Sequence, residues 1–313
     1  MLIGAGEGSM LLAENVTVGL AGAIGALPAR ILRGKKVLIA EDCFPSLHFL
    51  LTGMQDRLGF QLSTVRRRPG AAHVEDEDFI SALSDDVAVA VMTWVSSTTS
   101  KKADLTDVAD KARRHGTLVA VDITQGVGIL DFKVADCDFV MGSSLKWLCG
   151  YSGAGALYVK PALLPELQPN IRGWFSQPHP FNWDLDRFEL APDARRFDHG
   201  TPAVLAAVAS QPGIDFVLKT GLPKLRGHNL ALTEHLVGAA EDIGLPLHSP
   251  ANPEERGGSV MLKLGEAAAN AVSRLKQNRI YCDHRGEILR LSPGISTTTE
   301  DVDALIATLR QRA

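Results

Sequence analysis

Two polar residues at the ends of neighbouring apolar runs define the chemistry open to this sequence. Leu118-Val119-Ala120-Val121 delivers Asp122, with Gln125 three residues on, and Asp138-Phe139-Val140-Met141 leads into Gly142-Ser143-Ser144-Leu145-Lys146-Trp147. Lys146 is a lone lysine among small and apolar residues, where desolvation lowers the pKa of an ammonium and frees a nucleophilic amine for a Schiff base. Taken singly, Asp122 has a turn cap as its alternative reading, and for Lys146 an exposed loop lysine is the commoner one. Taken together, an acid that keeps a pyridinium nitrogen protonated and an amine that holds an aldehyde are what pyridoxal 5'-phosphate chemistry requires. The glycine and serines before Lys146 offer hydroxyls and open backbone amides to a phosphate oxygen.

Such a pair needs rigid elements behind it. Uninterrupted apolar runs at 36–40, 87–92 and 118–121 suit strands of a sheet covered on both faces. Between them lie helical patterns, notably 104–115, which opens Asp-Leu-Thr-Asp and closes on Arg113, Arg114 and His115 before Gly116. The alternation predicts an α/β fold, whose functional groups collect beyond the carboxyl ends of parallel strands. After Gly200 the pattern changes to an Ala-rich helix from about Thr201 and an amphipathic helix over 222–243, followed by strands and two more helices. This predicts a large domain over 1–220 and a smaller one over 221–313.

Composition narrows the function classes. The 313 residues carry 32 basic and 36 acidic side chains, a formal charge of −4, without the cationic surplus that nucleic-acid binding demands. Glu7 and Glu14 precede the first basic residue, Arg30, so the basic start of a secretory signal is missing. The apolar stretch 16–29 is interrupted by three glycines and Pro28 and falls short of the roughly 20 residues of a membrane span. Cys43, Cys137, Cys149 and Cys282 form no CxxC pair and read as reduced thiols. A cytoplasmic location is the expectation. Gly4-Ala5-Gly6-Glu7-Gly8 lacks the preceding strand and the spacing of a dinucleotide loop. His179, His199 and His284 lack metal-site spacing.

Six segments carry a family resemblance over almost the whole chain. They are Val-Asp-Ile-Thr-Gln (121–125), Gly-Ser-Ser-Leu-Lys-Trp (142–147), Phe-Pro-Ser (44–46), Gly-Trp-Phe (173–175), Phe-Asp-His-Gly-Thr-Pro (197–202) and Leu-Arg-Leu-Ser-Pro (289–293). With them the chain resembles the class V aminotransferase group of fold-type I pyridoxal phosphate enzymes, most closely its kynureninase-like branch. The resemblance implies a mostly parallel sheet of the seven-stranded type between helices, with a smaller C-terminal α/β domain.

It also assigns roles. Phe44 would stack on the cofactor ring, Asp122 pair with its nitrogen, Gln125 reach its phenolic oxygen and Ser96 lie beside it. The turn Asn15-Val16-Thr17 at a helix start would hold the phosphate, with hydroxyls from Ser143 and, secondarily, Ser144. Gly200 and Thr201 would approach the phosphate from a neighbouring subunit, implying a homodimer with shared active sites; helix capping is the alternative for Thr201. Trp174 matches an aromatic near the site, and Arg290 matches the arginine that pairs with a substrate α-carboxylate. Read without the family, Phe44 and Trp174 are packing residues, Ser96 a loop serine and Arg290 a surface charge. Asp283 and Arg285 read as a local ion pair without chemistry.

The pattern departs from kynureninases at three positions: Leu47, Leu145 and Gln125 stand where an aspartate, a tyrosine and a histidine are usual. Met1 to Gly6 match an internal segment of the family, so the expectation is either a fragment or a short variant whose site a partner subunit closes. Kynureninase-like cleavage of an amino-acid side chain is the favoured activity. Class V transamination, epimerisation or desulfuration, and a non-catalytic binding protein on the same fold, are the alternatives.

Overall fold

Runs of apolar and β-branched residues become the buried strands, and amphipathic segments become the helices that cover them. The computed structural model describes residues 2–310. In sequence order it forms β1 (Met10–Ala13), α1 (Val16–Gly25), α2 (Ala29–Leu32), β2 (Lys36–Ala40), α3 (Pro45–Leu58), β3 (Gln61–Val65), α4 (Asp76–Ser81), β4 (Val87–Thr93), α5 (Leu105–His115), β5 (Leu118–Asp122), β6 (Phe139–Ser143) and β7 (Gly155–Val159). Then come α6 (Val204–Thr220), α7 (Leu222–Asp242), β8 (Val260–Lys263), α8 (Ala268–Gln277), β9 (Asp283–Arg285), β10 (Ile288–Leu291) and α9 (Thr299–Arg310).

Seven strands form one sheet in the order β1-β7-β6-β5-β4-β2-β3. Neighbours from β3 to β6 pair in parallel, whereas β7 runs antiparallel to both β6 and β1. Alternate residues feed two cores: Val37, Ile39, Val89 and Val91 face one side with α1 and α3, while Leu38, Ala90 and Met92 face the other with α4 and α5. Burial on both faces is what an unbroken apolar strand achieves, at about 1.5–3 kcal/mol per fully buried aliphatic residue.

Helix α5 shows the local logic. The Asp104 carboxylate accepts the Thr106 and Asp107 N–H groups at its start, and Gly116 ends it at φ 65°, a left-handed conformation open to glycine at little cost. Helix α6 begins three residues later than expected, at Val204, and no side group caps it. Pro202 separates Thr201 from the helix, so capping by Thr201 is ruled out.

Residues 232–309 build a separate apolar core between α7, α8, α9 and the antiparallel sheet β8-β10-β9. This unit is joined by backbone to the loop after β4. Lys102 N–H donates to the Glu255 carbonyl at 2.8 Å and Gly257 N–H to the Ser100 carbonyl at 2.7 Å, and Ser259 N–H reaches Ser100 Oγ at 3.3 Å. Ser100 adopts φ 62° at this junction. Among the described residues, no helix is long and apolar enough to cross a membrane.

Candidate active site

The sheet register brings the functional strand ends to one edge. Thr93 on β4 lies opposite Asp122 on β5, Asp122 opposite Met141 on β6, Ser143 opposite Gly155 on β7, and Gly155 opposite Ala13 on β1. The loops that follow β2, β4, β5 and β6 carry Phe44, Ser96, Gln125 and Lys146, and α1 starts after β1, so the expected groups leave the sheet from one end.

Asp122 is buried. Its Oδ1 accepts the Thr124 N–H at 2.9 Å, and among the described residues no cation pairs with it. Burial pushes this carboxyl above its ordinary range, opposed by the Thr124 hydrogen bonds. A carboxylate desolvated in this way is ready for a cation set against it. Beside it, the Ser143 N–H donates to Thr124 Oγ1 at 3.2 Å. The Ser143 hydroxyl and the Thr93 hydroxyl are both buried without a partner. Unpaired buried hydroxyls are costly, so their presence at the strand edge points to a polar ligand that completes them.

The start of α1 offers donors suited to an anion. Asn15 Oδ1 accepts the Val18 N–H at 3.0 Å, leaving the Val16 and Thr17 N–H groups without intrahelical acceptors at the positive end of a ten-residue helix. Gly155 makes this approach possible: a methyl group there would stand 2.6 Å from the Gly142 carbonyl oxygen, 3.0 Å from that of Ala13 and 3.6 Å from Asn15 Cα. Ser143, at the end of β6, and Ala13, just before this turn, are both register partners of Gly155, so the Ser143 hydroxyl and the amides of Val16 and Thr17 belong to the same end of the sheet. A phosphate fits that donor set.

Lys146 is half-buried after β6. Burial first, then the charges of Arg290 and Arg285, hold its amine below the ordinary lysine range, while Asp283 acts in the opposite sense. The small sheet therefore sets its charges beside Lys146. Arg290 on β10 is held by Asp283, with Nε and Nη2 donating to the two carboxylate oxygens at 2.7 Å each. Trp147 anchors the loop against the same unit, because a methyl group on Gly258 would meet its ring at 2.3–2.8 Å.

Phe44 precedes α3 and keeps 44% of its surface exposed while its neighbours Cys43 and Leu47 are buried, leaving a ring free for stacking. Gln125 is half-buried in the turn after β5. Ser96 is buried, and its Oγ accepts the Thr98 and Thr99 N–H groups at 3.3 Å each. Ser144 is otherwise engaged: its hydroxyl donates to the Ala154 carbonyl at 2.7 Å and lies 3.1 Å from Ser210 Oγ, so it braces the loop and is not free for phosphate.

Two expected residues come from segments outside these strand-end loops. Trp174 sits in an aromatic cluster with Phe175, Phe181 and Trp183. Thr201 lines a cavity of about 320 Å³ beside α1 and α3, with Glu14, Val18 and Gly200 in its wall. Residue types alone did not single out Thr93, Thr124 or the role of Asp283. Thr93 ends an apolar run as Asp122 does, and that signal is present in the sequence. Thr124 lies within the Val-Asp-Ile-Thr-Gln segment. The pairing of Asp283 with Arg290 depends on strand register and has no local signature.

Comparisons with known proteins bear on family and fold. The family model described as aminotransferase class V matches residues 2–305. The isopenicillin N epimerase of Streptomyces clavuligerus is 27% identical over 97% of this protein and 80% of its own length. A kynureninase of Geobacillus thermodenitrificans is 27% identical over 96% of this protein and 73% of its own length. Among solved structures, the cysteine desulfurase of Thermococcus onnurineus NA1 superimposes with a TM-score of 0.88 at 19% identity, covering 99% of this protein and 80% of that one. With its strand-end aspartate, half-buried lysine and free helix-start amides, the chain belongs to the class V aminotransferase family of fold-type I enzymes, whose cofactor is pyridoxal 5'-phosphate.

Proposed function

We propose that the protein transforms an amino acid through Lys146, with the reacting bonds at or beyond the substrate's Cα. What supports this reading is that Asp122 and the Lys146 loop leave the neighbouring strands β5 and β6 at the same end, with the charge of Arg290 acting on the Lys146 amine. The bound cofactor supplies an aldehyde that takes up the substrate amine and an electron sink for the bond that breaks. Asp122 holds the ring nitrogen protonated. Val16, Thr17 and Ser143 grip the phosphate, while Phe44, Ser96 and Gln125 fix the ring. Arg290 binds the substrate carboxylate, and Lys146, once released, carries a proton to or from the substrate, a role suited to an amine held below its ordinary range.

Kynureninase-like cleavage of a carbon–carbon bond in the substrate's side group is the favoured reaction, supported by the kynureninase relatives. Release of anthranilate from kynurenine by the holoprotein tests it directly. Proton transfer at Cα, as in epimerisation or transamination, is the second reading, and a specific observation favours it. Leu47 is fully buried in an apolar core and Leu145 is exposed, so neither offers the polar group that a water-using cleavage draws on at those positions. Loss of the Cα deuterium label from a panel of amino acids without anthranilate release selects this reading; keto-acid formation selects transamination within it. A desulfurase role is poorly supported, because partial desolvation pushes the Cys149 thiol up, away from the nucleophilic thiolate.

We also propose a homodimer with shared sites. The cavity holding Gly200 and Thr201 is walled mainly by apolar residues of β1, α1 and α3. Leu205 stands 86% exposed close by in sequence, as does a residue that a second copy covers.

A further inference from the structure

The contact between Asp283 and Arg290 is built into the small sheet. The two residues are direct cross-strand partners on β9 and β10, so their side chains leave the same face at close range. Leu289 and Leu291, on the opposite face of β10, are buried in the core, which fixes the register and with it the pairing. The carboxylate takes the side edge of the guanidinium, with both oxygens 2.7 Å from Nε and Nη2. Among the described residues, Nη1 makes no hydrogen bond. An arginine has two edges able to grip a carboxylate, and the end edge, formed by Nη1 and the second proton of Nη2, is left open.

We infer that Asp283 is a positioning residue: it clamps Arg290 by its side edge so that the end edge faces the substrate's α-carboxylate. The inference rests on the reading of Arg290 given above and extends it to a residue with no contact of its own to substrate. Electrostatics supports the arrangement. The charged groups that face the Lys146 amine are Arg290, Asp283 and Arg285, and Asp283 also pairs with Arg285 at 3.1 Å. Although burial opposes its ionisation, the hydrogen bonds and charge of Arg290, followed by the charges of Arg285 and Lys146, hold the Asp283 carboxyl below its ordinary range. The clamp therefore stays charged at neutral pH. It offsets part of the positive field that Arg290 and Arg285 exert on Lys146.

The test compares glycine with glycinamide, which differ in the carboxylate, as ligands of the holoprotein by calorimetric titration. Wild type prefers glycine; Asp283→Asn lowers that preference about tenfold, the scale of a lost charge-assisted hydrogen-bond pair, and Asp283→Glu retains part of it. A second measurement needs no cofactor: reductive methylation of Lys146 in the full-length cofactor-free protein, followed by peptide mass spectrometry across pH. Its midpoint moves to lower pH in Asp283→Asn and stays near wild type in Asp283→Glu. Tighter glycine binding by Asp283→Asn overturns the inference, because Asp283 would then be a competitor for Arg290. An unchanged glycine preference in Asp283→Asn overturns it as well. If wild type itself fails to distinguish the two ligands, the carboxylate role of Arg290 falls, and the clamp falls with it. A thermal unfolding curve for each variant separates these results from loss of fold.

Discussion

At the residue scale the decisive property is the mismatch between burial and charge. Asp122 is a buried carboxyl with no cation beside it among the described residues, and its raised pKa means that the folded protein holds this proton more tightly than the unfolded one does. Stability is therefore lost as pH rises from the unfolded value toward the folded one, and the loss persists at neutral pH. Asp122→Asn is expected to raise the unfolding temperature of the cofactor-free protein, by a free energy on the order of 1–3 kcal/mol, while weakening cofactor binding; thermal unfolding with and without pyridoxal phosphate measures both. Should the variant destabilise the cofactor-free form, the carboxyl is not the strained group described. Lys146 has the complementary property. Its amine, held below the ordinary lysine range, is expected to react with the aldehyde at a lower pH than exposed lysines do. Lys146→Ala is expected to abolish the visible band formed on adding pyridoxal phosphate and its loss on borohydride treatment. A band of equal intensity in that variant would assign the covalent link to another lysine.

These two residues were legible because each follows an apolar run that can only be a buried strand, and a charge at such an end is conspicuous. Phe44, Gln125 and Thr201 were named through the family resemblance, since an aromatic, an amide and a threonine in loops carry no chemistry of their own. Ser144 illustrates the limit. Its residue type suits a phosphate as well as that of Ser143, and only the geometry shows one hydroxyl spent on Ala154 and the other buried without a partner.

At the scale of elements, two glycines set how closely the parts of the site approach. Gly155 lets the start of α1 close on the end of β6, and Gly258 lets the small sheet press against Trp147, one residue beyond Lys146, where a methyl group meets the indole at 2.3–2.8 Å. Gly258→Ala is expected to turn the indole and displace the lysine loop, lowering cofactor affinity about tenfold or more while the protein remains folded. Fluorescence titration with pyridoxal phosphate, beside a circular dichroism spectrum, reads the two effects separately; unchanged affinity would show that the loop is fixed without this contact. The strand and helix periods foretold β2, β4, β5 and α5 within a residue or so because their local and tertiary preferences agree. The start of α6 was misplaced because the Ala-rich composition extends the helical pattern, whereas Pro202 and the absence of a capping group set where it begins.

At the scale of the whole molecule, the apolar wall around Thr201 predicts association. Leu205→Glu, at a position 86% exposed, is expected to shift a dimer toward monomer in light scattering and to weaken cofactor retention in parallel, since Thr201 is proposed to serve the neighbouring copy. A dimer unaffected by a charge at this position would place the interface elsewhere. The alternation of strands and helices made the α/β architecture readable from sequence. The joining of the small unit to the β4 loop was not readable, because it runs through backbone groups of Ser100, Lys102, Glu255 and Gly257, whose side chains do not announce it.

That backbone seam has a mechanical meaning. The loop carrying Ser96 is stitched to the strand-like stretch that leads into β8, so a hinge rotation of the C-terminal unit drags the ring-facing loop with it and cannot proceed as the swing of an independent flap. Solvent exchange at the amides of Lys102 and Gly257 should consequently slow or quicken in concert whenever a ligand locks that rotation, however far apart the two stand in the sequence.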